Sequence, residues 1–237
     1  MKGRSHGSAP SAYPRIAAWR RLTWWIADYA YAVYWQVRAA FGRRDPADFR
    51  TGERAPIVII PGVYETWRFM QPLVTALHDR GHPVHVVETL SNNRRPLLET
   101  ARLVTAVMVG EQMTDAIIVA HSKGGLAGKA VMTGGEGHRV RAMIAIAAPF
   151  GGSRYARLFP ARSVRAFSPS DPDLRDLARR LEVNDRIVSV YASFDPHIPE
   201  GSELRGAKKN VRLETGGHFR VLADPHVLSE IVELTEA

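Results

Sequence analysis

No cysteine occurs in the 237 residues, which removes disulfides, thiolate zinc sites and thiol nucleophiles from consideration while leaving the compartment undecided. Long apolar runs are missing too, none reaching the ~20 residues that a transmembrane helix needs. A secretory leader reads poorly. Arg20-Arg21 precede an apolar stretch, but Asp28 and several tyrosines interrupt it. The expected location is therefore cytoplasmic, with membrane association left open. Acidic side chains are scarce at one end only: residues 1–55 carry ten Lys/Arg against four Asp/Glu, accounting for +6 of the formal net charge of +8. The rest of the chain is near neutral and has little electrostatic means of holding nucleic acid, so no nucleic-acid partner is expected.

What is present divides in two. Residues 1–54 read as a basic arm, and residues 55–237 as one α/β domain of sufficient size to bury a core. Residues 1–14 are Gly/Ser/Pro-rich and expected to be disordered. Pro14 suits the start of a helix running to about Phe41. From Ala55 onward, short β-branched runs alternate with helical patterns. Strands are expected at Ile57–Ile60, Val84–Leu90, Ala116–His121, Val140–Ala148, Ile187–Phe194 and Val211–Thr215. Helices are expected at Thr66–Arg80, Pro96 to about Met113, after Ser122, and from Leu222 to about Leu234. That alternation implies a mostly parallel central sheet with helices on both faces. Residues 150–186 break it, mixing Gly, Pro and Arg before a short helix near Leu174–Leu181. A cover over a site and a solvated excursion both fit such a stretch.

The polar cluster in AIIVAHSKGG, residues 116–125, ends one of these strands. A serine on a tight strand-to-helix turn projects its hydroxyl above the sheet edge, and the residues two before and two after must be small. Ala120 and Gly124 meet that requirement around Ser122. Serine needs a base, and the base an orienting carboxylate. In chain order, Asp195 directly follows a late strand in YASFDPH, and His218 follows the next strand in RLETGGH. Ser122, Asp195 and His218 are the candidate nucleophile, acid and base. His121 flanks the serine but should point away from it. His197 and His226 are not at strand ends, and His78, His82 and His85 belong to the opposite end of the fold or a helix. Asp171, Asp173 and Asp185 lie in the irregular stretch or before a strand, and Asp224 at the start of the last helix, where the helix dipole accounts for it. The backbone N–H groups of Lys123 and of Val63, after the Pro61-Gly62 turn, are the candidate oxyanion donors. Solvent is the expected destination of the Lys123 side chain, a near-site cation favouring anionic substrates being the alternative.

PGV (61–63), AHSKGG (120–125), YASFD (191–195) and NVRLETGGHFRVL (210–222) together resemble the α/β-hydrolase superfamily, in particular the small lipase/esterase branch with an A-H-S-x-G-G nucleophile turn. The resemblance spans about Ala55 to Leu234. It implies an α/β-hydrolase fold and cleavage of carboxylic esters through an acyl-enzyme on Ser122. Small esters or acyl lipids would be the substrates, and no cofactor or metal is implied. Acyl transfer or thioester cleavage on the same residues, or a non-catalytic binding protein on the same fold, are the alternatives. The sequence departs from the family at Pro61, in residues 150–186 and in its N-terminal aromatic helix.

That helix carries two stripes on a helical projection. Leu22, Ile26, Tyr29, Val33, Val37 and Ala40 form one, expected to pack on the domain. Trp24, Tyr31 and Trp35 form the other, with Asp28 among them. Aromatics beside arginines suit a membrane interface. Asp28 within the aromatic face instead favours packing against protein.

Overall fold

The computed structural model describes residues 16–158 and 161–236. The arm at 1–14 and the expected helix start at Pro14 lie outside them. The first element is a 24-residue helix, α1 (Ala18–Phe41). Six strands follow: β1 (Ile57–Ile60), β2 (Val84–Val86), β3 (Ala116–His121), β4 (Val140–Ile146), β5 (Ile187–Phe194) and β6 (Lys209–Gly216). They form one sheet in the order β2-β1-β3-β4-β5-β6, every pairing parallel.

Strands buried on both faces read as unbroken apolar runs, and β1 (IVII) and β3 (AIIVAH) are buried along their whole length. The alternation within each run divides the core. Val58, Ile60, Ile118, Ala120, Met143 and Ala145 face one layer, formed by α3 (Leu97–Gly110), α4 (Lys123–Met132) and α6 (Pro172–Arg179). Ile57, Ile59, Ile117, Val119, Ile144 and Ile146 face the other, where α2 (Gln71–His78), α7 (Pro225–Glu236) and the inner side of α1 pack. A short α5 (Arg162–Arg165) lies between β4 and α6.

Four expected boundaries shift for local reasons. The run from Val84 leaves the sheet at Val86, and Glu88–Leu90 turns as a 3₁₀ helix that tucks Leu90 into the core. Thr66–Arg80 is two pieces, a 3₁₀ turn at Trp67–Met70 and then α2, because Pro72 has no N–H to continue a ladder begun earlier. The strand expected at Val211–Thr215 extends at both ends to Lys209–Gly216. At the C-terminal end, Arg220–Ala223 is likewise 3₁₀, and α7 restarts at Pro225.

Candidate active site

All the candidate residues fall at the carboxyl edge of the sheet, where parallel sheets place their sites. The register pairs Ile60 with Ala120 and Ala120 with Ala145, which sets the loop after β1 beside the turn after β3. Ser122 occupies that turn with φ 50° and ψ −120°, a strained conformation for a residue with a side chain. Its surroundings explain the small neighbours, since a Cβ on Gly124 would overlap the carbonyl oxygen of Ile60. Ser122 is 8% exposed and His218 5%.

The structure brings Ser122, His218 and Asp195 together. Nε2 of His218 lies 2.9 Å from Oγ of Ser122, and Nδ1 lies 2.8 Å from Oδ2 of Asp195. The tautomer that satisfies both donates from Nδ1 to the carboxylate and accepts the serine hydroxyl at Nε2. The other oxygen of Asp195 accepts from the backbone N–H groups of His197 and Ile198, at 2.7 and 3.0 Å. Burial alone would raise the Asp195 carboxyl, but the His218 imidazole and the backbone donors outweigh it and hold it below the usual range. For His218, burial pulls downward, and Asp195 with more distant Glu65 and Asp28 pushes the imidazole above its ordinary value. Asp171, one of the competing acids, is a helix N-cap, accepting from the amides of Asp173 and Leu174.

The two candidate oxyanion donors stand on facing loops. Gly62 N–H is taken by Oε2 of Glu65 at 2.8 Å. No backbone carbonyl among the described residues accepts from Val63 or Lys123. The Lys123 side chain does not reach solvent as expected. It is 1% exposed and turns inward, Nζ donating to the carbonyl of Asn93 at 2.8 Å, to Oδ1 of Asn93 at 2.9 Å and to the carbonyl of Arg95. Burial pushes this ammonium down to about 8. Three oxygen acceptors match its three protons, which is why an interior location is tolerated. Asn93 in turn donates to the Pro61 carbonyl at 2.7 Å, so Lys123 steadies the loop that carries Val63.

Sequence reasoning missed a second set of residues. His121 does point away from Ser122, but it lies beneath the candidate base: Nε2 donates to the His218 carbonyl at 2.9 Å, and Nδ1 meets Oε2 of Glu65 at 2.9 Å. Asp28 of α1 is fully buried and accepts from three consecutive amides, His218, Phe219 and Arg220, at 2.9, 2.8 and 2.7 Å. The approach needs glycine on the facing loop, because a side chain on Gly216 would strike Trp24 and one on Gly217 would strike Asp28. The aromatic face of α1 packs on protein, as Asp28 within it favoured, while the aliphatic stripe expected to pack does not. Trp24, Asp28, Tyr31 and Trp35 turn toward the domain, and the Leu22/Ile26/Val33/Val37 stripe is exposed. The signal available was the pair GGH after β6, whose glycines announce a close neighbour.

His197 also belongs to the neighbourhood. Its ring lies 4.9 Å from that of His218, tilted by 40°, and its Nε2 lies 3.3 Å from the Tyr29 hydroxyl. Burial and the nearby His218 depress it to about 4, so the ring is neutral at neutral pH and able to accept from Tyr29. A groove of about 690 Å³ runs alongside, lined by Arg21, Trp25, Tyr155, Asp195, Pro196 and Glu200 among others. Residues 150–186 touch the oxyanion side of the site, where Tyr64, next to Val63, meets Ser163 at 3.3 Å between hydroxyls.

No family model matches the sequence, and no curated protein matches it by sequence. The fold has clear counterparts among solved structures. A hydrolase from Oleispira antarctica superposes with a TM-score of 0.56 at 14% identity, over 81% of this chain and 98% of its own. A lipase from Bacillus licheniformis in its propeptide form gives 0.59 at 13% identity, over 82% and 52%. An enol-lactonase from Burkholderia xenovorans gives 0.53 at 15% identity, over 78% and 93%. The chain has the α/β-hydrolase fold.

Proposed function

We propose that the protein hydrolyses carboxylic esters through an acyl-enzyme on Ser122. The observation that carries this reading is the continuous hydrogen-bonded chain from Asp195 through His218 to Ser122, ending on a serine held at φ 50° on the strand-to-helix turn. In the first half-reaction Nε2 of His218 takes the Oγ proton as Oγ bonds to the ester carbonyl carbon. The backbone N–H groups of Val63 and Lys123 bind the oxyanion that forms. Collapse of this intermediate breaks the acyl–oxygen bond, and His218 returns its proton to the leaving alcohol. In the second half-reaction His218 takes a proton from water as the hydroxyl attacks the acyl carbon, and then reprotonates Ser122 as the acid departs. Asp195 holds the tautomer and stabilises the imidazolium.

Similar solved structures include proteins described as a lipase and an enol-lactonase, whose names denote cleavage of an acyl–oxygen bond. Among fold-mates that lends support without supplying this chain's substrate. The test is labelling with a fluorophosphonate alongside turnover of p-nitrophenyl esters of graded chain length. The expected result is one label, on Ser122, and ester hydrolysis that falls at least about 10³-fold in Ser122→Ala. A folded protein that neither labels nor turns over any chain length overturns the reading, as does undiminished turnover by Ser122→Ala.

A further inference from the structure

α1 (Ala18–Phe41) spends one face on the domain and leaves the other with none of the described residues against it. On the outer face Leu22, Ile26, Val33 and Val37 are 57%, 56%, 62% and 52% exposed, and Trp19 68%. No charged residue interrupts this stripe. At 100° per residue the cations of the helix, Arg20, Arg21 and Arg38, fall well beyond the edges of the stripe, between it and the domain-facing side. Two of them are held there, Arg20 over the Trp24 ring at 4.8 Å and Arg38 over the Trp35 ring at 5.6 Å. Arg43 and Arg44 follow directly. The single acidic residue of the helix, Asp28, is buried and consumed by backbone amides. The surface of α1 is thus apolar along its crest, and every exposed charge on the helix is cationic and lies between the crest and the domain.

Few occupants fit such a surface. No helix of the described residues is long and apolar enough to cross a membrane. A second copy seated crest to crest would bring arginines of both helices together with no carboxylate on the helix to meet them, a costly like-charge contact. Residues 1–15, MKGRSHGSAPSAYPR, contain no apolar run and carry three more cations. What complements both features is a bilayer with anionic headgroups, which receives an apolar stripe into its acyl boundary and arginines at its phosphates.

We infer that α1 is an interfacial helix that lies along an anionic lipid surface with the Leu22/Ile26/Val33/Val37 stripe inserted and the arginines at headgroup level. A 24-residue helix is about 36 Å long, so the whole stripe engages one leaflet in the plane. Trp25 and Tyr29, at the edge of the stripe, then sit at the depth that aromatic rings favour. Tyr29 also contacts His197, whose ring lies 4.9 Å from that of His218, so the attached surface adjoins the Ser122 site. Lipid binding itself is independent of whether the site cleaves esters.

The test is co-sedimentation of the full chain with vesicles of phosphatidylcholine alone and of phosphatidylcholine with phosphatidylglycerol. The expected result is binding to the mixed vesicles that weakens with added salt and is much poorer on neutral ones. Leu22→Gln/Ile26→Gln/Val33→Gln/Val37→Gln should reduce partitioning at least about 100-fold, and Arg43→Gln with Arg44→Gln by about five-fold each. Absence of binding to anionic vesicles at low salt, equal binding to both compositions, or full binding by the folded four-glutamine variant overturns the inference. A lipid-free dimer that the four glutamines dissociate, without vesicle binding by the wild type, assigns the face to a second copy instead and also overturns it. Should the four-glutamine variant not fold, quenching of the wild-type tryptophans by bromine-labelled lipid decides: quenching supports insertion, and its absence refutes it.

Discussion

The turn that carries Ser122 and the loop that carries His218 face each other across 2.9 Å, but they are built by different means. The serine turn is held by its own neighbours in sequence. Gly124 lets α4 close against the end of β1, Ala120 is buried in the sheet, and the register of β1 with β3 brings the oxyanion loop alongside. The histidine loop draws less from its own sequence: Gly217 N–H donates to the Phe194 carbonyl, and His121 Nε2 to that of His218. Two glycines leave it soft, and its shape comes from Asp28, an acid on a helix at the other end of the chain, binding three successive amides. A site can thus be half intrinsic to its fold and half imposed by an added element.

Four changes test this contrast. Asp195→Asn acts on the imidazole itself. It preserves shape but favours the wrong tautomer, and kcat for ester turnover is expected to fall up to about 10⁴-fold with little change in thermal stability. Asp28→Ala acts mainly on the loop, while also removing one of the carboxylates that push the His218 imidazole upward. Leaving three buried amides without their carboxylate should cost about 3–5 kcal/mol in denaturant unfolding. The displaced imidazole should lower kcat about 10²-fold, while the intact serine turn keeps the fold. If Asp28→Ala matched wild type in kcat, the loop would be self-supporting and the contrast would fail.

Lys123→Met acts on the serine side. Asn93 and Arg95 lose their buried donor, and a loss of about 2–3 kcal/mol in stability is expected, with kcat changed less than about ten-fold because the backbone N–H of residue 123 remains. The smallest effect is on pH. His218 must be neutral to accept the serine proton, and its raised value places the acid limb of kcat/KM above the ordinary histidine value of ~6.5. Asp195→Asn should move that limb downward. The sign for stability is opposite to that for activity. A raised histidine contributes stability that is complete below ~6.5 and is lost as pH rises through the folded value. Activity should therefore appear over the interval in which this contribution to unfolding free energy declines.

What was legible in the sequence follows the same division. β1, β3 and β5 were readable to the residue because unbroken β-branched runs bounded by turn residues leave little choice of ends. Ser122, Asp195 and His218 were readable because each directly follows a strand in the right order. Lys123 was misread since a lysine is normally solvated, and the three oxygens that receive it come from a loop about thirty residues earlier. The aliphatic stripe of α1 was misassigned to the domain because both stripes are apolar enough to pack, although Asp28 pointed the aromatic one inward. The choice between them was made by Gly216 and Gly217, which only a ring and a carboxylate at the positions of Trp24 and Asp28 fit. Glu65 and His121 were invisible for the same reason, being partners 56 residues apart.

The span of the Asp28 contact also bears on how the protein comes into being. His218 lies 190 residues from the carboxylate that shapes its loop, so the contact closes only after nearly the whole chain has been synthesised. During translation α1 and the turn of Ser122 emerge first, before the loop of His218 exists to meet them. Such long-range closure is entropically late in folding. The same bond is exposed to early loss, because α1 is an outlying element that can peel away while the sheet persists. The amide protons of Phe219 and Arg220 should therefore exchange with deuterium in step with the backbone of α1, and well ahead of β3.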